Sequence, residues 1–181
     1  MDFPDIPFWD FSVALYSKPG VGAACLGLQD RHEIDVNILM FCLWMGAAGY
    51  PAATADEMRA YRAAVAPWHD SAVRGLRAVR KWMKPDRPPV DQSLAQALRA
   101  RIQKLEIDAE HLEQVTLFTC ICTEKEKGTP GSKMANALSN VRHYFRELGI
   151  ETGADDEDAL AGIVAQTFPL QRDGDIASGS G

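Results

Sequence analysis

The feature that most constrains the fold is the stretch 36–48, VNILMFCLWMGAA, which carries no charge and is apolar on every side when drawn as a helix. Such a helix has no face that prefers water, so other elements must surround it. Elsewhere, apolar residues recur at helical spacing, and the alternation typical of strands is almost absent. With 181 residues, 46% of them hydrophobic, the chain is long enough for one core. The sequence predicts an all-α, single-domain bundle of about six or seven helices around a buried central third helix.

Breakers and capping residues predict where each helix begins and ends. Asp35 is placed to cap the third helix, Thr54 and Glu57 form a capping box for the fourth, and Pro67 should kink or split that fourth helix. The predicted helices are 7–17, 20–31, 36–48, 55–84, 91–123, 133–148 and 156–168. The acidic run 155–158 suits the positive end of the last helix. The domain should cover 1–168, with a disordered tail at 169–181.

The long fifth helix carries leucines and small residues at alternating steps of four and three, which is the spacing of a buried seam in an antiparallel bundle. The predicted seam is Leu98, Ile102, Leu105, Ala109 and Leu112.

Charge is distributed unevenly along the chain. Residues 59–104 hold eleven Lys and Arg against three Asp, although the whole chain has a net charge of −6. A hairpin between the fourth and fifth helices would place Arg74 opposite Arg101, leaving positive charge unpaired and available to an anionic partner. Nucleic acid is an unlikely partner, because the sequence offers neither interleaved aromatics nor a known reading motif. The candidate anion- or partner-binding residues are Arg74, Arg77, Lys81, Lys84, Arg99 and Arg101.

The polar junction QDRHEIDVN at 29–37 lies between two apolar helices. The favoured interpretation is structural: a helix end, a helix start and a hydrogen-bonded network that locks them. The alternative is a ligand site with apolar walls and a few polar groups, as pockets in helical bundles have. The candidate ligand-binding residues are Trp9, Gln29, Asp30, Asp35, Asn37 and Trp44.

A metal site is a weaker hypothesis. Glu106, Glu110 and Glu113 recur on one stripe of the long helix, with His111 beside them in sequence. Stacked carboxylates repel each other and favour either free solvation or a bound cation. The Glu-x-x-His pairs of di-metal bundles are missing from the sequence, so an ordinary wet surface is the more favoured interpretation and no cofactor is predicted.

The sequence also indicates the compartment. The longest uncharged apolar run, 38–49, is too short to cross a bilayer, and no secretory leader is recognisable. The four cysteines are therefore expected to be reduced, buried thiols, and the protein is expected to be cytoplasmic.

The block FWDFSVALYSKPGVGAACLGLQDRHEIDVNILMFCLWMG resembles an uncharacterised family of small helical bacterial proteins, chiefly proteobacterial. Their pattern is FWxF…LYxxPGV…ACLxLQD…DVN…LFCLW. The resemblance implies a helical fold and brings no activity, substrate or cofactor. It also implies a glycine where this chain has Glu33, at the end of the second helix.

These observations leave three functional hypotheses. The first is a non-enzymatic protein that acts through protein contacts, with regulation as one such role, because no nucleophile, phosphate loop or complete metal set can be assembled. The second is a binding module for an apolar or amphipathic anionic ligand, such as an acyl or isoprenoid group, held by the Trp-rich core with a basic rim. The third is a metal-dependent enzyme that uses the acidic stripe.

Overall fold

The computed structural model describes residues 3–86, 88–124 and 132–169, and it confirms an all-α bundle. The predicted tail 169–181 lies outside the described residues except for Pro169. A π-helical turn, His69–Val73, joins the fourth and fifth α-helices. The helices are α1 Pro7–Tyr16, α2 Val21–His32, α3 Val36–Ala47, α4 Ala55–Trp68, α5 Arg74–Trp82, α6 Gln92–Glu124, α7 Lys133–Glu147 and α8 Ala154–Thr167.

Helix α3 is the hub of the bundle, as its sequence predicts. Every residue from Asn37 to Gly46 is buried, and the helix packs most extensively against α7. At Gly46 the two backbones come so close that an added Cβ would lie 2.6 Å from the Cβ of Ala137. Only glycine fits there, because atoms of a larger residue would overlap α7.

The junction between α2 and α3 has the predicted cap and one strained residue. The Asp35 side chain accepts a 2.8 Å hydrogen bond from the backbone N–H of Asn37, which satisfies an amide of the first turn. Glu33 ends α2 in the left-handed conformation, with φ of 53°. That conformation favours glycine, which is the residue the family resemblance implies at this position.

Pro67 is followed directly by the irregular turn. Helix α4 continues through Pro67 to Trp68. In the turn that follows, the N–H of Arg74 donates to the carbonyl of His69, five residues earlier in the chain, whereas an α-helical N–H donates to the carbonyl four residues earlier. Proline cannot donate a backbone hydrogen bond and crowds the carbonyl one turn earlier, so a disruption here is expected. The predicted split of the fourth helix is therefore a π-helical turn.

The predicted seam of α6 is mostly wrong. Ala109 is buried and Ile102 is half-buried, but Leu98, Leu105 and Leu112 are 49%, 54% and 36% exposed. The buried face runs instead through Glu106, Ala109, Glu113, Leu117 and Ile121. Helix α6 is oriented with this face inward because the arginines of α5 pair with its glutamates. Helix α5 has no fully buried residue of its own.

Helix α8 is fastened to α2 by a buried acid. Asp156 is only 4% exposed, and its carboxylate accepts 2.7 Å and 2.9 Å bonds from Arg31 and His32. The acidic run at 155–158 therefore has a tertiary role beyond its match to the helix dipole.

Cys25 and Cys42 are free thiols. Both are buried, Cys120 is half-buried, and the side chain of Cys122 lies outside the described part. Burial raises the pKa of Cys25 to about 12, which makes its thiol unreactive.

Within the described residues, no helix has both the length and the apolar character that a bilayer crossing requires.

Candidate functional site

Three elements that are distant in sequence bring an acid, a histidine and a second acid together inside the bundle. Asp35 caps α3, His69 opens the π-helical turn, and Glu113 lies on the buried face of α6. His69 Nδ1 is 3.0 Å from Asp35 Oδ2 and 3.2 Å from Glu113 Oε2. The three candidate ligand atoms all lie within 4.8 Å of one another, and we call this group the acid–histidine centre.

A shell of buried hydrogen bonds holds the acid–histidine centre. Asn37 Nδ2 donates to Glu113 Oε2 at 3.1 Å, and Gln114 Nε2 donates to Asn37 Oδ1 at 2.8 Å. The Tyr144 hydroxyl accepts from the Asp35 N–H at 2.7 Å and donates to the Asp35 carbonyl. Of the junction residues proposed to form a locking network, Asp35 and Asn37 take part in these hydrogen bonds, which extend to α6 and α7.

The two carboxyl groups cannot both be ionised at low cost. Burial raises the pKa of Asp35 well above its usual range, and a hydrogen bond to Glu113 together with that group's charge raises it further. Burial also raises the pKa of Glu113, although hydrogen bonds from Asp35 and Asn37 act in the opposite direction. Like charges this close need a proton or a cation between them.

The acid–histidine centre also has unused hydrogen-bonding capacity. Glu113 is 1% exposed, and its Oε1 has no hydrogen-bond partner in the described part of the chain. Gln114 Oε1 is also buried and also lacks a hydrogen-bond partner in the described part of the chain. Buried oxygens of this kind are rare in proteins and call for an explanation.

A polar cleft of about 240 Å³ lies next to the centre, between the end of α2 and helix α5, with His69 of the π-helical turn in its lining. His69 belongs to both sites, because its ring lines the cleft while its Nδ1 faces the two carboxylates. The cleft is lined by Gln29, Asp30, Glu33, Ile34, His69, Arg74, Arg77, Ala78 and Lys81.

The structure divides the predicted ligand-binding residues among three places. Gln29 and Asp30 line the cleft, and Asp35 and Asn37 belong to the buried network. The two tryptophans lie elsewhere in the bundle. Trp9 stacks on His111 at 4.1 Å, and Trp44 packs among Phe8, Phe41, Tyr50 and Phe118.

The predicted unpaired basic stripe is not found on α5. Arg77 Nε bonds Glu106 at 2.9 Å, its two terminal nitrogens bond Gln29 and Glu110, and Arg80 also bonds Glu106. The hairpin register that placed Arg74 opposite Arg101 was therefore wrong. Hydrogen bonds from Arg80 and Arg77 lower the pKa of Glu106 although burial opposes them.

The other predicted basic residues are more exposed. Arg74 pairs with Glu33 at 3.5 Å and with Asp70 at 3.6 Å, and Lys81 pairs with Asp30 at 3.6 Å. Lys84 and Arg101 are exposed, and Arg99 Nε donates to the carbonyl of Arg80 at 3.2 Å. The contacts at the cleft rim are long and exposed, so they contribute little stability and exchange readily.

The predicted metal stripe contributes one residue to the centre. Glu113 belongs to it, whereas Glu106 and Glu110 are engaged by arginines. His111 instead bonds the Pro4 carbonyl at 3.2 Å. Sequence reasoning missed His69; its only signal was its position directly after the helix that contains Pro67.

Two of the three comparisons with known proteins give no match: neither a curated protein nor a solved structure resembles the chain. The third gives one, and all three residues of the acid–histidine centre lie inside the matched range. Residues 7–117 match the model of the family described as "Protein of unknown function (DUF2390)", and the chain belongs to that family.

Proposed function

We propose that the protein binds a divalent transition-metal ion at Asp35, His69 and Glu113. The observation that carries this proposal is the convergence of three ligand atoms from three elements beside a buried carboxylate oxygen that lacks a partner. This keeps the metal hypothesis of the sequence and one of its four proposed residues, Glu113; Asp35 and His69 take the place of Glu106, Glu110 and His111.

The distances are compatible with ligands of a single ion. Carboxylate oxygens and imidazole nitrogens bind Zn²⁺ at about 2.0–2.2 Å, so neighbouring ligand atoms lie roughly 3 Å apart. His69 Nδ1 lies 3.0 Å and 3.2 Å from the two carboxylate oxygens. The same distances suit hydrogen bonds, so charge and hydrogen-bonding capacity must distinguish a metal site from a network.

A divalent cation would offset the repulsion between the two buried carboxylates and would engage the carboxylate oxygen that lacks a hydrogen-bond partner. Its two charges would balance those of Asp35 and Glu113, whose repulsion and burial otherwise require protons. Bidentate coordination by Glu113 would engage its free Oε1. An imidazole with two carboxylates favours Zn²⁺, Mn²⁺ or Fe²⁺ over Ca²⁺ and Mg²⁺, which prefer oxygen ligands alone.

Three protein ligands would leave a coordination position open. Metal sites that keep such a position accept water or a substrate there, and sites with four protein ligands are structural. The polar cleft beside His69 supports access for a small polar ligand to this region.

Metal content and thermal stability test the proposal together. We expect about one equivalent of metal after dialysis, and in protein stripped with a chelator, added Zn²⁺ or Mn²⁺ at a hundredfold excess over Kd should raise Tm by roughly 5–10 °C. His69→Ala and Glu113→Gln should abolish both effects. His111→Ala, which removes a histidine outside the centre, should leave them unchanged.

Co²⁺ provides a measurement that needs no variant, because its visible absorption bands report nitrogen and oxygen ligands directly. The proposal fails if the wild-type chain holds less than about a tenth of an equivalent, shows no such bands and gives no shift in Tm with any of these ions.

A second candidate function is supported by a groove between α7 and α8. The groove measures about 920 Å³ and has apolar walls that include Leu138, Phe145 and Leu160. Its charged lining residues are Arg142, Arg146, Glu151 and Glu157. Apolar walls with a few charged groups are typical of small-molecule sites. We therefore propose this groove, instead of the Trp-rich core, as the place where an amphipathic anion such as an acyl or isoprenoid group would bind.

Decanoate and decanol distinguish an anionic site from a merely apolar one. Decanoate should bind more tightly in titration calorimetry, and Arg146→Gln should reduce that preference. Leu160→Trp should fill the groove and stop binding, whereas Leu26→Trp on exposed α2 should not. Equal binding of both probes by every variant would contradict the proposal.

A function through protein contacts, the first hypothesis from the sequence, stays a prediction. The exposed leucines of α6 are the surface that supports it.

A further inference from the structure

The exposed leucines of α6 form a line. Leu98, Leu105 and Leu112 are spaced seven residues apart, so they lie within about 40° of one another around the helix and span about 21 Å of its length. Leu94, 72% exposed, continues the line towards the start of the helix. Apolar residues at this spacing are the signature of a helix that packs along another helix.

No other element in the described part of the chain covers this line. Helix α6 meets α5 through Glu106 and meets the rest of the bundle through its buried face. The row of leucines that the sequence predicted to be buried inside the bundle is therefore exposed on the surface of α6. A row of exposed leucines on an otherwise charged helix marks a contact surface.

Two opposite charges flank the line. Arg101 lies four residues before Leu105, and Asp108 lies three residues after it, both on the same side of the row. Neither has an ion pair among the described residues, and Arg101 is exposed.

We propose that the partner is a second copy of this chain, packed antiparallel along α6 about a two-fold axis near Leu105. Such an axis brings together positions equidistant from Leu105 in opposite directions. Leu98 of one copy then meets Leu112 of the other, and Leu105 meets its own counterpart.

The flanking charges select the antiparallel arrangement. A two-fold axis near Leu105 keeps both flanks on the same side and places Arg101 of each copy beside Asp108 of the other, giving two symmetrical ion pairs. In a parallel pair the two-fold axis would run along the helices and place the charged flank of one copy on the opposite edge of the interface from that of the other, so neither charge would meet its complement. Only the antiparallel arrangement brings the opposite charges together, and complementary charges set the orientation of an interface.

Sedimentation equilibrium of the full chain measures the association. We expect a monomer–dimer equilibrium for the wild type, and Leu105→Glu should weaken it more than about a hundredfold, because two carboxylates would face each other at the axis. Ile107→Glu is the matched control, since Ile107 is 43% exposed and points to the opposite side of α6. This variant should dimerise as the wild type does.

A charge reversal tests the direction of packing. Arg101→Asp and Asp108→Arg should each weaken the dimer about tenfold, and the double variant should restore it, because the pair is re-formed with the charges exchanged. A wild type that stays monomeric up to about 100 µM, a dimer unaffected by Leu105→Glu, or a double variant weaker than either single variant would overturn the proposal.

Discussion

Two parts of this bundle are held together by different forces. Helices α3 and α7 meet through buried apolar side chains and a glycine that lets the backbones approach, whereas α5 and α6 meet through arginines and glutamates. In the apolar pair, the buried side-chain atom that lacks a hydrogen-bond partner among the described residues is His143 Nδ1 on α7. The charged pair lies beside a cleft and a centre with unpaired oxygens. The comparison suggests that the fold is anchored in one half and that its chemistry lies in the other.

The largest expected effect comes from emptying the hub. Phe41 is fully buried and contacts Phe8, Trp44 and Tyr61, so Phe41→Ala should lower the free energy of unfolding by about 3–5 kcal/mol. Urea denaturation at constant protein concentration measures it. Val79→Ala on α5, 48% exposed, should change the same quantity by less than about 1 kcal/mol. Similar losses for both variants would remove the distinction between the halves.

Removing one cation, Arg77, should weaken the contact between α5 and α6. Arg77→Met leaves Glu106 and Glu110 with less compensation in a partly buried site, and we expect a loss of about 3 kcal/mol. Arg74→Met removes an arginine that is half exposed and should cost less than about 1 kcal/mol. If the two losses were equal in the same denaturation experiment, the ion pairs with α6 would not be holding α5.

Lowering the pH tests the charged contacts separately from the apolar ones, because protonation of a carboxylate weakens an ion pair and leaves apolar packing unchanged. Although burial raises the pKa of Asp156, hydrogen bonds from Gly153, His32 and Arg31 lower it to about 2. A carboxyl with a lowered pKa stabilises the fold fully above its unfolded value of about 3.9, and this contribution is lost as pH falls towards 2. The wild type should therefore lose stability between pH 5 and pH 2, a window set by these two pKa values.

Asp156→Asn should flatten that loss and lower stability at pH 7, as measured by Tm across the pH range. Asp155→Asn, a change at the exposed neighbour, should retain the profile of the wild type. An unchanged profile in Asp156→Asn would show that α8 is not fastened to α2 by this acid.

The smallest effect is a gain in stability. Glu33 occupies a left-handed conformation that costs roughly 1 kcal/mol for a residue with a Cβ, so Glu33→Gly should stabilise the chain by about 0.5–1 kcal/mol. Asp30→Gly, in the regular part of α2, should destabilise it by a few tenths of a kcal/mol. A loss of stability in Glu33→Gly would mean that the contact of Glu33 with Arg74 outweighs the strain.

The apolar half was predictable from the sequence and the charged half was not. The uncharged run after Asp35 and the residues suited to capping determine α3, its cap and the start of α4, because those features act locally. The face of α6 depends on which side chains α5 presents to it, and Arg77 and Arg80 drew Glu106 inward where the spacing of Leu98 and Leu105 favoured a leucine seam. The meeting of Asp35, His69 and Glu113 depends on tertiary packing that no local spacing encodes.

The π-helical turn at His69–Val73 has a consequence for everything that follows it in the chain. Such a turn contains one residue more than the α-helical turn it replaces, and one residue corresponds to about 100° of rotation about the axis. Deleting a single residue there would leave one continuous regular helix. It would also swing Arg77 and Arg80 away from α6, so a one-residue change in length determines whether the charged half can assemble.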